Sequence, residues 1–188
     1  MNPQQRCSWC GTDPLYVEYH DNEWGIPKKD DQELFELLLL EGAQAGLSWI
    51  TILKKRENYR EAFDNFDAKK MESYTQEKYD ALLQNAGIIR NKLKVHAFSK
   101  NARAYLAIKE SGISFSEFLW QFTDHTVIKN AWETLADIPT STPESEAMSK
   151  ALKKAGFSFV GPTICYAFMQ SSGMVNDHTT DCFKYTQS

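Results

Sequence analysis

Residue types that bind soft metals stand at the two ends of this chain and nowhere between as a group. Cys7, Cys10 and His20 lie near the start, and His178 and Cys182 near the finish of 188 residues. If they serve one ion, the fold must bring its two ends to a single point, and few architectures do so. The H-x3-C spacing of His178 and Cys182 brings both onto one side of a helical turn or tight loop. Two more ligands from the N-terminal segment would complete a tetrahedral Cys2His2 zinc site. Such a site would fix two ends that would otherwise fray, and its binding free energy would add to folding. CSWC offers both Cys7 and Cys10, and spacing does not choose between them. The plain alternative is a scatter of reduced thiols and surface histidines.

The bulk properties permit one substantial core and leave little room for a second domain. No apolar run approaches the roughly 20 residues that span a bilayer. The N-terminus, MNPQQRCSWC, is polar and lacks the apolar stretch of a signal peptide. A cytoplasmic protein without a membrane segment is expected, its four cysteines being metal ligands or buried thiols and not disulfides.

Helical patterning dominates, and no run alternates apolar and polar residues as a sheet would. Asp30 or Asp31 can cap a helix running to about Ala45, with Gly46 ending it. Ser48 can cap the next. Another begins at Thr75 and Glu77 and ends near Gly87. A long helix is expected from about Asn91 to Ser111, with two apolar stripes: Leu93, Ala97, Ala104, Ile108 and Val95, Phe98, Ala102, Tyr105. A helix apolar over so much of its circumference belongs near the centre. Thr142-Pro143 starts a helix ending at Gly156, and Gly161-Pro162 opens one stopping at Gly173. The first 30 residues and the last 12 look irregular. An all-α domain with its ends pinned together is the expected class.

Two stretches invite a chemical reading. In LLLLEGAQAGLSWITILKKR, residues 37–56, a glutamate interrupts an apolar tract. Leu34, Leu37 or Leu38, Glu41 and Ala45 recur at helical spacing, so Glu41 falls on the apolar face. An unpaired buried carboxylate is costly, so it needs donors from water or a ligand. In QNAGIIRNKLK, residues 84–94, a short turn joins two expected helices. Gly87 suits a left-handed or otherwise strained backbone there. The N–H groups opening the second helix, with Arg90, Lys92 and Lys94, favour a phosphate. No Asp or Glu occurs from Ala81 to Lys109, so this segment is locally basic although the net charge is −4. It reads as a hairpin that grips a nucleic-acid backbone, or as an ordinary glycine-capped turn beside a solvated helix face.

RCSWC, DPLYVEYHDNEWGIP, LEGAQAGLSWITILKKRENYREAF, AGIIRNKLK, NARAYL, IPTSTPESEAMSKALKKAGFSFVGPTICYAFMQ and VNDH resemble, in order and over nearly the whole chain, the DNA-3-methyladenine glycosylase I family. Beyond Cys182 the likeness is loose. The resemblance implies one helix-hairpin-helix DNA glycosylase domain over residues 1–188. Its hairpin spans about 76–110, and its zinc-binding termini about 1–25 and 174–188. It implies one structural zinc on Cys7, His20, His178 and Cys182, with Cys10 outside the ligand set. It assigns base recognition to Glu41 and the pocket aromatics to Tyr19 and Trp49. It implies that Gln44 and Leu47 fill the gap left by an everted base, and that Gly87, Arg90 and Lys92 contact the backbone. Each also has a plain structural reading: Glu41 as a helix-end cap or salt bridge, Trp49 as core, Tyr19 as a surface anchor.

The activity so implied is hydrolytic removal of 3-methyladenine from alkylated double-stranded DNA, leaving an abasic site. A monomer is expected. No lysine sits where bifunctional relatives keep a Schiff-base nucleophile, and no catalytic aspartate is implied. Two rivals remain. One is a zinc-dependent nucleobase hydrolase or deaminase with Glu23 carrying protons, against which the order of CSWC and His20 is reversed from the H-x-E…P-C-x-x-C pattern. The other is a non-catalytic, zinc-stabilised DNA-binding module, which would have no use for a buried carboxylate beside Trp49.

Overall fold

Side-chain caps start most of the helices. Asp13 accepts the Leu15 N–H at 3.1 Å and, with Pro14 at the first position, begins α1 (Pro14–Asn22). The opening segment is therefore not irregular: its helix hides because its apolar residues are few and make no stripe. Asp30 accepts the Glu33 N–H at 2.9 Å and begins α2 (Asp31–Gln44). The short α3 (Trp49–Leu53), α4 (Arg56–Ala62) and α5 (Ala68–Met71) follow. Ser48 precedes α3, but its hydroxyl bonds Thr51 Oγ1 instead of capping a backbone N–H. Thr75 caps α6 (Gln76–Gln84), and Asn91 caps α7 (Lys92–Glu110). Ser114 caps α8 (Phe115–Trp120). Thr142 and Ser145 form a capping box at the head of α9 (Pro143–Lys154). Gly161-Pro162 opens α10 (Pro162–Ser171).

The structure, a computed structural model, describes residues 5–186. Positions 1–4 and 187–188 of the expected end segments lie outside them. Among the described residues the only strands are β1 (Ile128–Lys129) and β2 (Val175–Asn176), a parallel pair. Two residues each are too few to show alternation, so sequence periodicity could not reveal them. No described helix is long and apolar enough to cross a membrane.

The core surrounds α2. Leu34, Phe35, Leu38, Leu39 and Leu40 are all buried, as a helix apolar on every side requires. α3, α7, α8 and α10 pack around it. α7 buries both expected stripes except Leu93, which is 73% exposed. Leu93 lies in the first turn, where α7 meets the C-terminal end of α2. There its neighbour Lys94, not Leu93, turns inward and donates to the Ala43 and Ala45 carbonyls at 2.8 and 2.6 Å.

The two ends of the chain meet, as the ligand types demanded. Phe183 N–H donates to the Gln5 carbonyl at 2.9 Å. Gly173 (φ +72°) carries the chain from α10 past the N-terminal loop. A Cβ there would lie 2.4 Å from the Ile26 carbonyl carbon and the Pro27 nitrogen, so only glycine fits.

Candidate active site and metal centre

Cys7, His20, His178 and Cys182 converge. Their ligand atoms all lie within 4.8 Å of one another, and all four residues are buried. Cys7 Sγ is 3.5 Å from His178 Nδ1. Cys182 Sγ is 3.5 Å from His20 Nε2 and 3.6 Å from His178 Nδ1. Metal–sulfur bonds of about 2.3 Å and metal–nitrogen bonds of about 2.0–2.1 Å at tetrahedral angles put S and N about 3.5 Å apart. The cluster fits a metal ion. His20 presents Nε2 because its Nδ1 pairs with Asp21 Oδ1 at 2.8 Å, and Arg6 holds Asp21 through a two-pronged ion pair. Burial pushes the Cys7 thiol up to about 12 and the His178 imidazole down to about 4. Cys10, the competitor, turns its Sγ to the Cys7 and Gly11 carbonyls. Gly25 (φ +76°) lets the chain pass the His178 ring, which a Cβ would approach to 3.0 Å.

The histidine rings of this cluster also back an aromatic cavity. Trp24 stands edge-to-face on His178 at 4.7 Å between centroids, and Trp9 lies 5.3 Å from His20. On their other side these indoles, with Tyr16, Tyr19, Glu41, Gln44, Trp49, Ile138, Ala167 and Gln170, line an open-sided cavity of about 160 Å³. Tyr19 and Trp49 meet at 5.5 Å, and Trp9 reaches Tyr16 and Trp24 at 4.9 Å. The position next to Tyr19 on α1 is His20 of the Cys/His cluster, so one helical turn serves both features.

Glu41 enters this cavity from α2, only 3% exposed. It is in no ion pair among those of the described residues. Burial pushes its carboxyl up to about 8, an effect that a hydrogen bond from Ser171 partly offsets. Burial thus favours the protonated form of Glu41 in the free protein. The same burial raises Tyr16 to about 12 and Tyr19 well above its usual value, so neither phenol ionises at neutral pH. Among the described residues, five buried side-chain N or O atoms lack a hydrogen-bond partner. Three of them, Glu41 Oε2, Trp9 Nε1 and Trp49 Nε1, belong to this one cavity wall. Buried polar groups are nearly always paired, so three orphans around one space point to a ligand with both donors and acceptors.

The remaining expected residues lie on the rim and on the hairpin. Gln44 lines the cavity and ends α2, and Gly46 (φ +79°) turns the chain toward Leu47, an apolar side chain left 39% exposed. In the hairpin, Gly87 is not left-handed. Its need for glycine is close approach: a Cβ would lie 2.9 Å from Asn85 Oδ1 and 3.0 Å from Asn58 Cβ. Asn85 Oδ1 accepts the Gly87 N–H at 2.8 Å, and Lys55 Nζ holds the Ala86 carbonyl at 3.0 Å. Arg90 and Lys92 are both exposed at the head of α7. Lys94 is not available to a phosphate, and its backbone N–H is taken by the Asn91 cap at 3.1 Å. The plain readings of Glu41 as a salt-bridge partner and Tyr19 as a surface anchor do not hold. Trp49 is buried, yet faces the cavity.

Trp9, Tyr16, Trp24 and Gln170 were not singled out from sequence. Trp9 sits inside CSWC, and Tyr16 precedes Tyr19 by one helical turn, so both carried a local signal. Gln170 carried none.

The profile of the methyladenine glycosylase family matches residues 9–185. The DNA-3-methyladenine glycosylase 1 of Escherichia coli K12 is 54% identical over 181 residues, spanning 96% of this chain and 97% of its own length. A crystal structure of a 3-methyladenine DNA glycosylase I superposes with a TM-score of 0.94 at 56% identity, covering 95% of this chain and 98% of that one. A tyrosine-to-phenylalanine variant of such an enzyme, solved in complex with 3-methyladenine, superposes at 0.92 with 37% identity over 96% and 97% of the two chains. By sequence and by fold, this chain belongs to the methyladenine glycosylase family.

Proposed function

We propose that this protein is a monofunctional DNA glycosylase that everts 3-methyladenine from alkylated duplex DNA and hydrolyses its N-glycosyl bond, leaving an abasic site. The observation that carries the reading is the aromatic cavity with an unpaired buried carboxyl and two unpaired indole N–H groups. A methylated adenine offers an amino donor, ring-nitrogen acceptors and a positive charge, which together complement that wall. It cannot be reached inside the stack and must be flipped out.

Glu41 gives up its proton as the cation enters and then accepts from the exocyclic amine. Tyr19, Trp49 and the other rings face the cation, each such contact contributing about 0.5–2 kcal/mol. Neutral adenine offers the same amine but no positive charge, so it lacks both the attraction to an ionised Glu41 and the cation–ring contacts, and selection for damage follows from charge. Methylation at N3 already makes the base a good leaving group. Water adds to the sugar carbon, the C–N bond breaks with its electron pair passing to the base, and the departing base is neutral. The proton from water goes to solvent. Gln44 and Leu47 occupy the space vacated in the stack. The helix-hairpin-helix element, through the Gly87 turn, Arg90 and Lys92, holds the backbone without reading sequence.

Zinc is the ion best suited to the Cys2His2 cluster, and its role is structural: it fixes the two chain ends and backs the aromatic wall. Four buried protein ligands leave no coordination position for a reacting water, which disfavours the hydrolase and deaminase readings. A monomer in the cytoplasm suffices, since one chain supplies the cavity, turn and hairpin, and reduced thiols persist there.

Incubation with methylated duplex DNA followed by chromatography of the released bases tests this. Release of 3-methyladenine, abolished in Glu41→Ala and retained in Cys10→Ala, is expected. Binding without base release, or a deaminated product, would overturn it.

A further inference from the structure

Gln170 reaches the cavity from α10 and has no part in the account so far. Its amide nitrogen donates to Asp177 Oδ2 at 2.9 Å. Asp177 is 1% exposed and receives three further donors: the Tyr166 hydroxyl at 2.6 Å, Asn130 Nδ2 at 2.7 Å and Trp132 Nε1 at 2.8 Å. Every position on that carboxylate is therefore filled by a donor. A glutamine beside an acceptor-only group cannot turn over, because its carbonyl oxygen would then face a carboxylate. The nitrogen is committed to Asp177, and Oε1 is the polar atom left to face the cavity.

Glu41 alone cannot tell an amino group from a carbonyl oxygen. Ionised, it accepts from an amine. Protonated, as burial leaves it in the free protein, it can donate to a carbonyl. Gln170 has no such second state. The two groups stand on α2 and α10, which pack together, with Ser171 beside Glu41 following Gln170 in the chain. An exocyclic amine carries two diverging N–H groups, one for each acceptor.

We propose that Gln170 is a specificity-determining residue of the pocket and Asp177 its positioning residue: the fixed Gln170 carbonyl oxygen accepts from the exocyclic amine of an adenine-type base and rejects bases with an oxygen at that position. The inference rests on the base-pocket reading above. Rejection arises because an oxo base would set two acceptors face to face, leaving both unpaired.

The test compares binding of free 3-methyladenine and 3-methylhypoxanthine, which differ by the amino-to-oxo exchange and the ring proton that accompanies it, through quenching of the cavity tryptophans. The wild-type protein should prefer 3-methyladenine. In Gln170→Leu the preference should fall about tenfold, through weaker 3-methyladenine binding with 3-methylhypoxanthine unchanged or tighter. Asp177→Asn presents a donor to Gln170, lets its amide turn over, and should narrow the preference in the same way. An undiminished preference in Gln170→Leu, or equal weakening of both bases, would overturn the role of Gln170. An undiminished preference in Asp177→Asn with loss in Gln170→Leu would overturn the role of Asp177. Failure of the wild-type protein to bind 3-methyladenine at all would instead sink the pocket reading beneath it.

Discussion

Glu41→Gln should stabilise the protein, and the gain should grow with pH. The carboxyl titrates near 4.5 when unfolded and at about 8 when folded, so between these values the native state binds more protons than the unfolded one. Native stability then falls as pH rises, the reverse of a salt-bridged carboxylate. At about 1.4 kcal/mol per pH unit, the cost is roughly 1 kcal/mol at pH 5.5 and roughly 5 kcal/mol at pH 9. Glutamine keeps the shape and never ionises, so the other titrating groups cancel in the difference between the two proteins. The variant's advantage should therefore grow by about 3–4 kcal/mol from pH 5.5 to 9, which for a chain of this size is about 6–16 °C in thermal midpoint. Paired thermal melts across that range read it directly. A difference independent of pH, or one that shrinks as pH rises, would refute the claim that burial holds the carboxyl neutral.

Removing the metal should loosen both ends of the chain. Cys182→Ser should lower zinc content from about one per chain and lower the thermal midpoint, and a chelator should do the same to the wild-type protein; a midpoint indifferent to both would show the cluster does not hold the fold. Gly87→Ala places a Cβ 2.9 Å from Asn85 Oδ1 and 3.0 Å from Asn58 Cβ. It should cost about 1–3 kcal/mol in stability and weaken DNA binding, and urea denaturation with a binding titration checks both. Arg90→Ala and Lys92→Ala should each reduce the slope of log affinity against log salt by about one, measured by fluorescence anisotropy with a DNA duplex. Unchanged slopes would remove those side chains from the phosphate contact.

What could be read from the residues alone was what helical spacing and residue type encode locally. Glu41 fell on the apolar face because Leu37, Leu38 and Ala45 stand three and four residues from it, and it is buried. Ligand types at both ends announced that the ends meet. The cavity as a whole was not legible, because Trp9, Trp24 and Gln170 come from separate elements and converge only once the Cys/His cluster and α10 are in place. Lys94 misled. In a basic run it reads as a phosphate ligand, yet its ammonium closes the end of α2 by taking two carbonyls that otherwise lack donors. Gly87 was read as suiting a left-handed or otherwise strained backbone; it is not left-handed, and the crowding by Asn58 that calls for glycine is a tertiary fact that no local pattern records.

The most direct test follows the Glu41 carboxyl itself by carbon NMR of glutamate-labelled protein at pH 7, with Glu41→Gln identifying the signal. The free protein should show a protonated carboxyl. Addition of 3,9-dimethyladenine, a fixed cation that mimics the alkylated nucleotide, should move the signal to the ionised position. A carboxyl already ionised in the free protein, or one that stays protonated while the cation binds, would contradict the account.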